Sequence, residues 1–262
     1  MRARGTTRQR RAAAVRVLRP AHESRRPRMP ADELNALAVL EQGAIEIESR
    51  MPYSSNATFV VRVTHTDVTV RAVYKPLRGE RPLWDFEPGL HRREIAAYRL
   101  AVAMGFDFVP PTVLRDGPLG EGSLQLFVDA DFEQHYFTLF EARPELHDRF
   151  RDIAVFDILA NNTDRKSGHV LVDSEGHVWA IDHGLCFAAD FKLRTVIWEF
   201  GGEEISDAML GAVERMANLP LDVAALLADE EITAYAERAS WLLEHRRLPV
   251  DPSGRRYPWP LV

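Results

Sequence analysis

Two runs of alternating apolar residues, 57–63 and 68–74, are separated only by a polar Thr-His-Thr-Asp stretch, and this spacing predicts an antiparallel hairpin. Beyond Phe200 the pattern changes to helical spacing, most clearly over 206–217, 221–228 and 230–245. Strands first and helices last point to an α+β fold with two lobes, the first small and β-rich, the second larger and mainly helical. Lesser signals fill the frame. Helices are expected over 32–42, closed by Gly43, over 91–104, closed by Gly105, and over 145–160, with Leu146, Phe150 and Ile153 on one face. Strands are expected over 123–128, 169–173 and 177–181, the last two flanking a Ser-Glu-Gly turn, with a loop over 76–89 and an extended Pro-rich end over 249–260.

At 262 residues and 46% apolar, the chain can bury a substantial core. Its single cysteine, Cys186, excludes an intramolecular disulfide and a Cys-rich zinc site and favours a reducing compartment, so a cytoplasmic location is expected. No stretch reaches the ~18 apolar residues of a membrane span. Charge is uneven: residues 1–30 carry ten arginines against one acid, Glu23, a net of +9, which leaves −15 on residues 31–262. The first stretch reads as a disordered tail for nucleic acid or another anion, or as an overlong gene start with the true beginning at or near Met29. With −15 on the remainder, nucleic acid is a partner only through that tail.

Of 33 basic residues only three are lysine: Lys75, Lys166 and Lys192. In an arginine-dominated chain a retained lysine marks a place where a compact ammonium is needed, as at a phosphate site. Lys75 ends the second alternating run, where a lysine is expensive without a partner. Glu94 follows 19 residues later, in the first turn of the expected 91–104 helix, bordering its buried face; Arg92, Arg93 and Arg99 look like solvent residues. A lysine partner and an acid favoured by the helix dipole are the two readings of Glu94. Asp164 follows the long helix in Asn-Asn-Thr-Asp-Arg-Lys, either as an Asx-turn residue or as an acceptor of a hydroxyl proton. Asp182 lies 18 residues further on, at the end of an apolar strand, a poor place for a merely solvated charge. Phosphoryl transfer needs these parts: a strand lysine on phosphate oxygens, a helix carboxylate holding it, one Asp for the attacking hydroxyl and one for a metal.

The order and spacing resemble the protein-kinase-like superfamily, and most of all its phosphoinositide-kinase and atypical branches, through Asn161-Asn162-Thr163-Asp164-Arg165 and Asp182-His183-Gly184. Tyr74-Lys75-Pro76, Pro82-Leu83-Trp84-Asp85-Phe86 and Ile181-Asp182-His183-Gly184 are similar to an actinobacterial family related to the phosphatidylinositol 3- and 4-kinases. The resemblance implies a two-lobed protein-kinase-like domain over 31–248, with an N-lobe over about 31–128, a C-lobe over about 129–248 and a Pro-rich tail over 249–262. It also implies transfer of the γ-phosphate of ATP, with Mg²⁺ or Mn²⁺, to a hydroxyl of a small molecule or protein. Asp164 and Lys166 would be catalytic, Lys166 neutralising the phosphate. Lys75 and Glu94 would hold the nucleotide together with Ser54, Ser55 and Asn56, which stand in the phosphate loop without its usual glycines. Asp182 and His169 would hold the metal; the resemblance expects asparagine at 169, and magnesium prefers oxygen ligands. That substitution supports an alternative, a pseudokinase or nucleotide-binding regulator with little turnover. Asn161 and Asn162 are expected to cap a helix, His183 and Cys186 to pack, residues 125–129 to form the hinge, and Lys192 to face the acceptor.

Overall fold

The computed structural model describes residues 31–52 and 54–262. The expectations placed on residues 1–30, a tail or an overlong start, lie outside the described residues, as does Tyr53. The chain opens with α1 (Ala31–Gln42), β1 (Ala44–Arg50), β2 (Phe59–His65) and β3 (Val68–Pro76). It continues through α2 (Leu90–Met104), β4 (Thr112–Gly117) and β5 (Gly120–Leu126). The five strands form one antiparallel sheet in the order β1-β2-β3-β5-β4. The expected hairpin is β2/β3, pairing Val61 with Ala72 and Val63 with Val70. Because side chains alternate across a strand, one face buries Val61, Val63, Ala72, Tyr74 and Leu124 against Val39 and Leu40 of α1, and Lys75 falls on the other face. Gly122 is required where β5 crosses β3: a Cβ there would lie 2.5 Å from the Lys75 carbonyl and 2.8 Å from the Tyr74 ring.

Two strands of this sheet go beyond the sequence reading, β1 and β4, and both are edges. β1 (Ala-Ile-Glu-Ile-Glu-Ser-Arg) is almost wholly exposed, so it never needed an apolar alternation strong enough to notice.

The second part holds α3 (Tyr136–Ala142), α4 (His147–Leu159), the hairpin of β6 (Val170–Val172) and β7 (Val178–Ala180), then α5 (Asp207–Arg215), α6 (Leu221–Ala224) and α7 (Asp229–His245). Its core packs Phe150, Ile153, Phe156 and Leu159 of α4 with Met209, Leu210, Tyr235 and Leu242 of α5 and α7. Helix α2 belongs to this same core through Ala96, Ala97, Tyr98, Leu100, Ala101 and Met104, although strands precede and follow it in the chain. Helix α3 was not expected; its Tyr-Phe-Thr-Leu-Phe composition has little helix preference, and Tyr136 and Phe140 are held by aromatic packing on Phe150, His147 and Phe200. Among the described residues no helix is long and apolar enough to cross a membrane.

Two expectations about α2 need correction. Arg93 is not a solvent residue: it is 8% exposed and donates to Glu231 of α7 at 2.5 Å. Glu94 is the fifth residue of a helix that starts at Leu90, one turn in, and so does not serve the helix N-terminus. That role belongs to Glu80, whose carboxylate accepts the N–H groups of Gly89 at 2.8 Å and His91 at 3.0 Å.

Candidate functional site

Lys75, Glu94 and Asp182 arrive from β3, α2 and the end of β7 and meet at one point. The Lys75 ammonium donates to Glu94 Oε1 and, at 2.9 Å, to Asp182 Oδ1. The second oxygen of Glu94 accepts the backbone N–H of His183 at 3.0 Å, so one buried carboxylate grips both the strand lysine and the loop after β7. Glycine at 184 eases that close approach, since a Cβ there would lie 3.3 Å from Glu94 Oε1 and press the carboxylate aside by a few tenths of an ångström. Asp182 itself adopts a left-handed conformation, φ 59°, which is costly for a residue other than glycine and turns its half-exposed carboxylate back toward the lysine. Burial opposes charge on Lys75, yet the two carboxylates outweigh it and raise its pKa above the ordinary lysine value. For Asp182 the partial loss of solvation in the cleft is likewise overcome, chiefly by Lys75 and then His169, and its carboxyl is held below the usual range. Burial dominates at Glu94, whose pKa is raised.

The loop after α4 is built around Arg165, the largest fully buried side chain among the described residues. Its guanidinium forks onto Asp157 of α4, Nε to Oδ2 at 2.8 Å and Nη2 to Oδ1 at 2.9 Å. It also donates through Nη1 to the Ile181 carbonyl at 2.7 Å and through Nη2 to His183 Nε2 at 2.7 Å. One arginine thus ties the Asp164 loop to the Asp182 loop, with a fixed planar geometry that a lysine could not reproduce. Asn161, in a left-handed conformation, ends the helix through its backbone while its amide bonds the carbonyls of Ala188 and Asp190. Asn162, not Asp164, makes the Asx turn: its Oδ1 accepts the Asp164 N–H at 3.0 Å, which leaves the Asp164 carboxylate facing Lys166 Nζ at 3.2 Å. Burial, offset in part by Lys166, brings Asp164 up to about 6.

His169 lies beside Asp182, Nε2 to Oδ2 at 3.5 Å, and its Nδ1 accepts the Lys166 N–H at 3.4 Å. Burial lowers its pKa to about 4, so the ring is neutral. The tautomer assigned from these contacts carries its hydrogen on Nε2, pointing at Asp182. Among the described residues no group of three or more His, Cys, Asp or Glu side chains is arranged to hold an ion.

Lys75, Glu94, Asp182 and His169 are therefore linked by direct contacts, with the Asp164–Lys166 pair joined to them through Arg165 and the Lys166–His169 turn. Ser54, Ser55 and Asn56 are not. They lie between β1 and β2, where Ser54 Oγ bonds Thr58 Oγ1 at 2.8 Å and Asn56 Oδ1 accepts the Arg81 N–H at 2.9 Å. Lys192 does not project freely toward an acceptor: it donates to the Asp85 carbonyl at 3.1 Å and stacks on the Phe86 ring, closing the Pro82–Phe86 motif onto the second lobe. The sequence reading missed Asp157. Its signal was an acid inside the apolar run Val155-Phe156-Asp157-Ile158-Leu159, which must be paired if the run is buried.

Comparison with known proteins adds to this geometry. The family model "Phosphatidylinositol 3- and 4-kinase" matches residues 115–203, a span that includes Asp164 and Asp182 but not Lys75 or Glu94. Protein Rv2133c of Mycobacterium tuberculosis is 38% identical, over 85% of this chain and 94% of that protein. Phosphatidylinositol 4-kinase gamma 4 of rice (Oryza sativa subsp. japonica) is 36% identical over 130 residues, 40% of this chain and 22% of that protein. The crystal structure of the Helicobacter pylori proinflammatory kinase CtkA is similar with a TM-score of 0.46 and 11% identity, over 79% of this chain and 93% of that chain.

Proposed function

The chain belongs to the phosphatidylinositol 3-/4-kinase-like family of the protein-kinase-like superfamily, and on that premise we propose that it transfers the γ-phosphate of ATP to a hydroxyl of a small-molecule or protein acceptor. The observation that supports this most is the convergence of Lys75, Glu94 and Asp182 from three separate elements, with the Asp164 loop laced to them by Arg165. Lys75 presents a permanently charged, positioned ammonium to phosphate oxygens, and Glu94 keeps it in place. Asp164 receives the proton as the acceptor oxygen bonds to phosphorus and the bond to the leaving ADP breaks. A carboxylate titrating near 6 is ionised at neutral pH yet more basic than an exposed one. Lys166 sits where it offsets charge building on the transferred group. The residues fit a hard divalent ion, Mg²⁺ or Mn²⁺, through the half-exposed oxygens of Asp182, with phosphates and water as its other ligands. When bound, such an ion neutralises phosphate charge and aligns the terminal group for transfer. His169 then stands beside Asp182, its Nε2 3.5 Å from Oδ2. The kinase-like domain runs over 31–248 in this reading, with the lobes meeting near residues 125–129.

A pseudokinase is the second reading, favoured by one observation: the side chain beside Asp182, 3.5 Å from its Oδ2, is the imidazole of His169 where an oxygen ligand for a second ion is expected. The test is thermal-shift binding of ATP with Mg²⁺ or Mn²⁺, followed by hydrolysis and autophosphorylation assays. Binding that is lost in Asp182→Ala and Lys75→Met, together with turnover, is expected. Binding without turnover selects the pseudokinase, and no binding in the wild type refutes both. The pH profile gives a second check. Below pH ~6 Asp164 is protonated and cannot accept the hydroxyl proton, so turnover should fall about tenfold per unit as pH drops and level off above it.

A further inference from the structure

Residues 249–262 take no part in the chemistry above, yet they reach its floor. Ser167 and Thr195 are buried, 0% and 3% exposed, so their backbone N–H groups need protein partners. Both find them in the C-terminal segment: Ser167 N–H donates to the Leu261 carbonyl at 2.8 Å, and Thr195 N–H to the Arg256 carbonyl at 3.1 Å. The Arg256 carbonyl also accepts Trp198 Nε1–H at 3.1 Å, and the Arg256 guanidinium lies over the Phe191 ring. Pro258, between the two anchor points, is buried. The extended Pro-rich end expected from the sequence is fastened at two points, Arg256 and Leu261.

The places it fastens are informative. Ser167 begins the single turn Ser167–His169, whose flanking Lys166 pairs with Asp164 and whose His169 faces Asp182. Thr195 lies in a stretch itself laced to the Asp164 loop: Arg194 N–H donates to the Asn162 carbonyl at 3.0 Å, Arg165 N–H to the Arg194 carbonyl at 3.0 Å and Val196 N–H to the Arg165 carbonyl at 3.1 Å. The C-terminal segment is the outermost of three backbone layers, with the Asp164 loop innermost. No hydrogen bond or ion pair among the described residues joins it to Lys75 or Glu94.

We propose that residues 256–261 form a strap that positions the acceptor side of the cleft, holding Lys166 and Asp164 in register while making no bond of its own to Lys75 or Glu94. This rests on the phosphotransfer reading. Leu261 and Arg256 are positioning residues, acting through their carbonyls on Ser167 and Thr195. The strap is tested with two shortened chains, one ending at Trp259, which loses only the Leu261 contact and keeps buried Pro258, and one ending at Arg255, which loses both. Amide exchange should accelerate at Ser167 alone in the first and at Ser167 and Thr195 in the second. In both, the thermal shift on ATP with Mg²⁺ should be retained while ATP turnover falls by about tenfold or more, since small misplacements of reacting groups are costly. Added peptide of residues 256–262 should restore part of the turnover lost from the chain ending at Arg255. Faster exchange with unchanged turnover would overturn the proposal, and so would increased turnover, which would make the segment an inhibitory cover. A wild type that binds no ATP, or binds without turnover, removes the phosphotransfer reading beneath it; a wild type that turns over ATP no faster than its shortened forms sinks the strap alone.

Discussion

Asp164→Asn should lower phosphate transfer by about a thousandfold, the scale of a lost general base, while the thermal shift on ATP with Mg²⁺ stays unchanged. The expectation follows from how the loop divides its work. Asn162 makes the turn and Arg165 anchors the loop in the core, so the Asp164 side chain is not what shapes the loop. Among the described residues its charged contact is Lys166 at 3.2 Å, from which an asparagine oxygen can still accept. The variant therefore separates proton acceptance from folding. Single-turnover transfer measured with bound nucleotide would show it; a loss of less than about tenfold would place the proton acceptor elsewhere.

Asp157→Ala should be the most destabilising single change in the second lobe. It strands the Arg165 guanidinium, whose side chain is 0% exposed, without its counter-charge, and it leaves the Asn162 amide without its 3.0 Å partner. Breaking a buried pair from one side costs about 3–5 kcal/mol, because the surviving charge is left in a low-dielectric interior. For a domain of this size that corresponds to a fall in Tm on the order of 10 °C. Urea unfolding of the variant is the direct measurement, and a cost under about 1 kcal/mol would mean that water reaches Arg165 and the pair is not truly buried. Turnover should fall with stability, since Arg165 also holds the Ile181 carbonyl immediately before Asp182.

Much of this was legible in the chain. The β2/β3 alternation, the helix before Gly105 and the β6/β7 hairpin each bury an apolar face, so their periods had to appear in the sequence. Lys75, Glu94 and Asp182 could be singled out because each is a charge at the border of an apolar run, where burial demands a partner. What stayed hidden has physical reasons. The edge strands β1 and β4 are largely solvated on at least one side and carry weak patterns. Arg93 looked like a surface residue because nothing within its own helix shows that Glu231, 138 residues away, packs against it. The C-terminal segment is held by its backbone, through the carbonyls of Arg256 and Leu261, and backbone contacts leave no mark on residue choice. His169 was readable as a departure but not as a tautomer, which only its neighbours decide.

Helix α2 packs into the helical core, bonds α7 through Arg93 and reaches the His183 amide through Glu94. Glu94 also sits on a helix that packs against β4 and β5 and bonds Glu121 of β5 through His91 and Arg92, so it stands between the sheet that carries Lys75 and the loop that carries Asp182. If the two lobes part, the bond from Lys75 to Asp182 is one that must lengthen, since it joins the sheet to the loop after β7. The lysine then behaves as a contact breaker whose far terminal is Asp182. A single separation, Lys75 to Asp182, would report how far the cleft has opened.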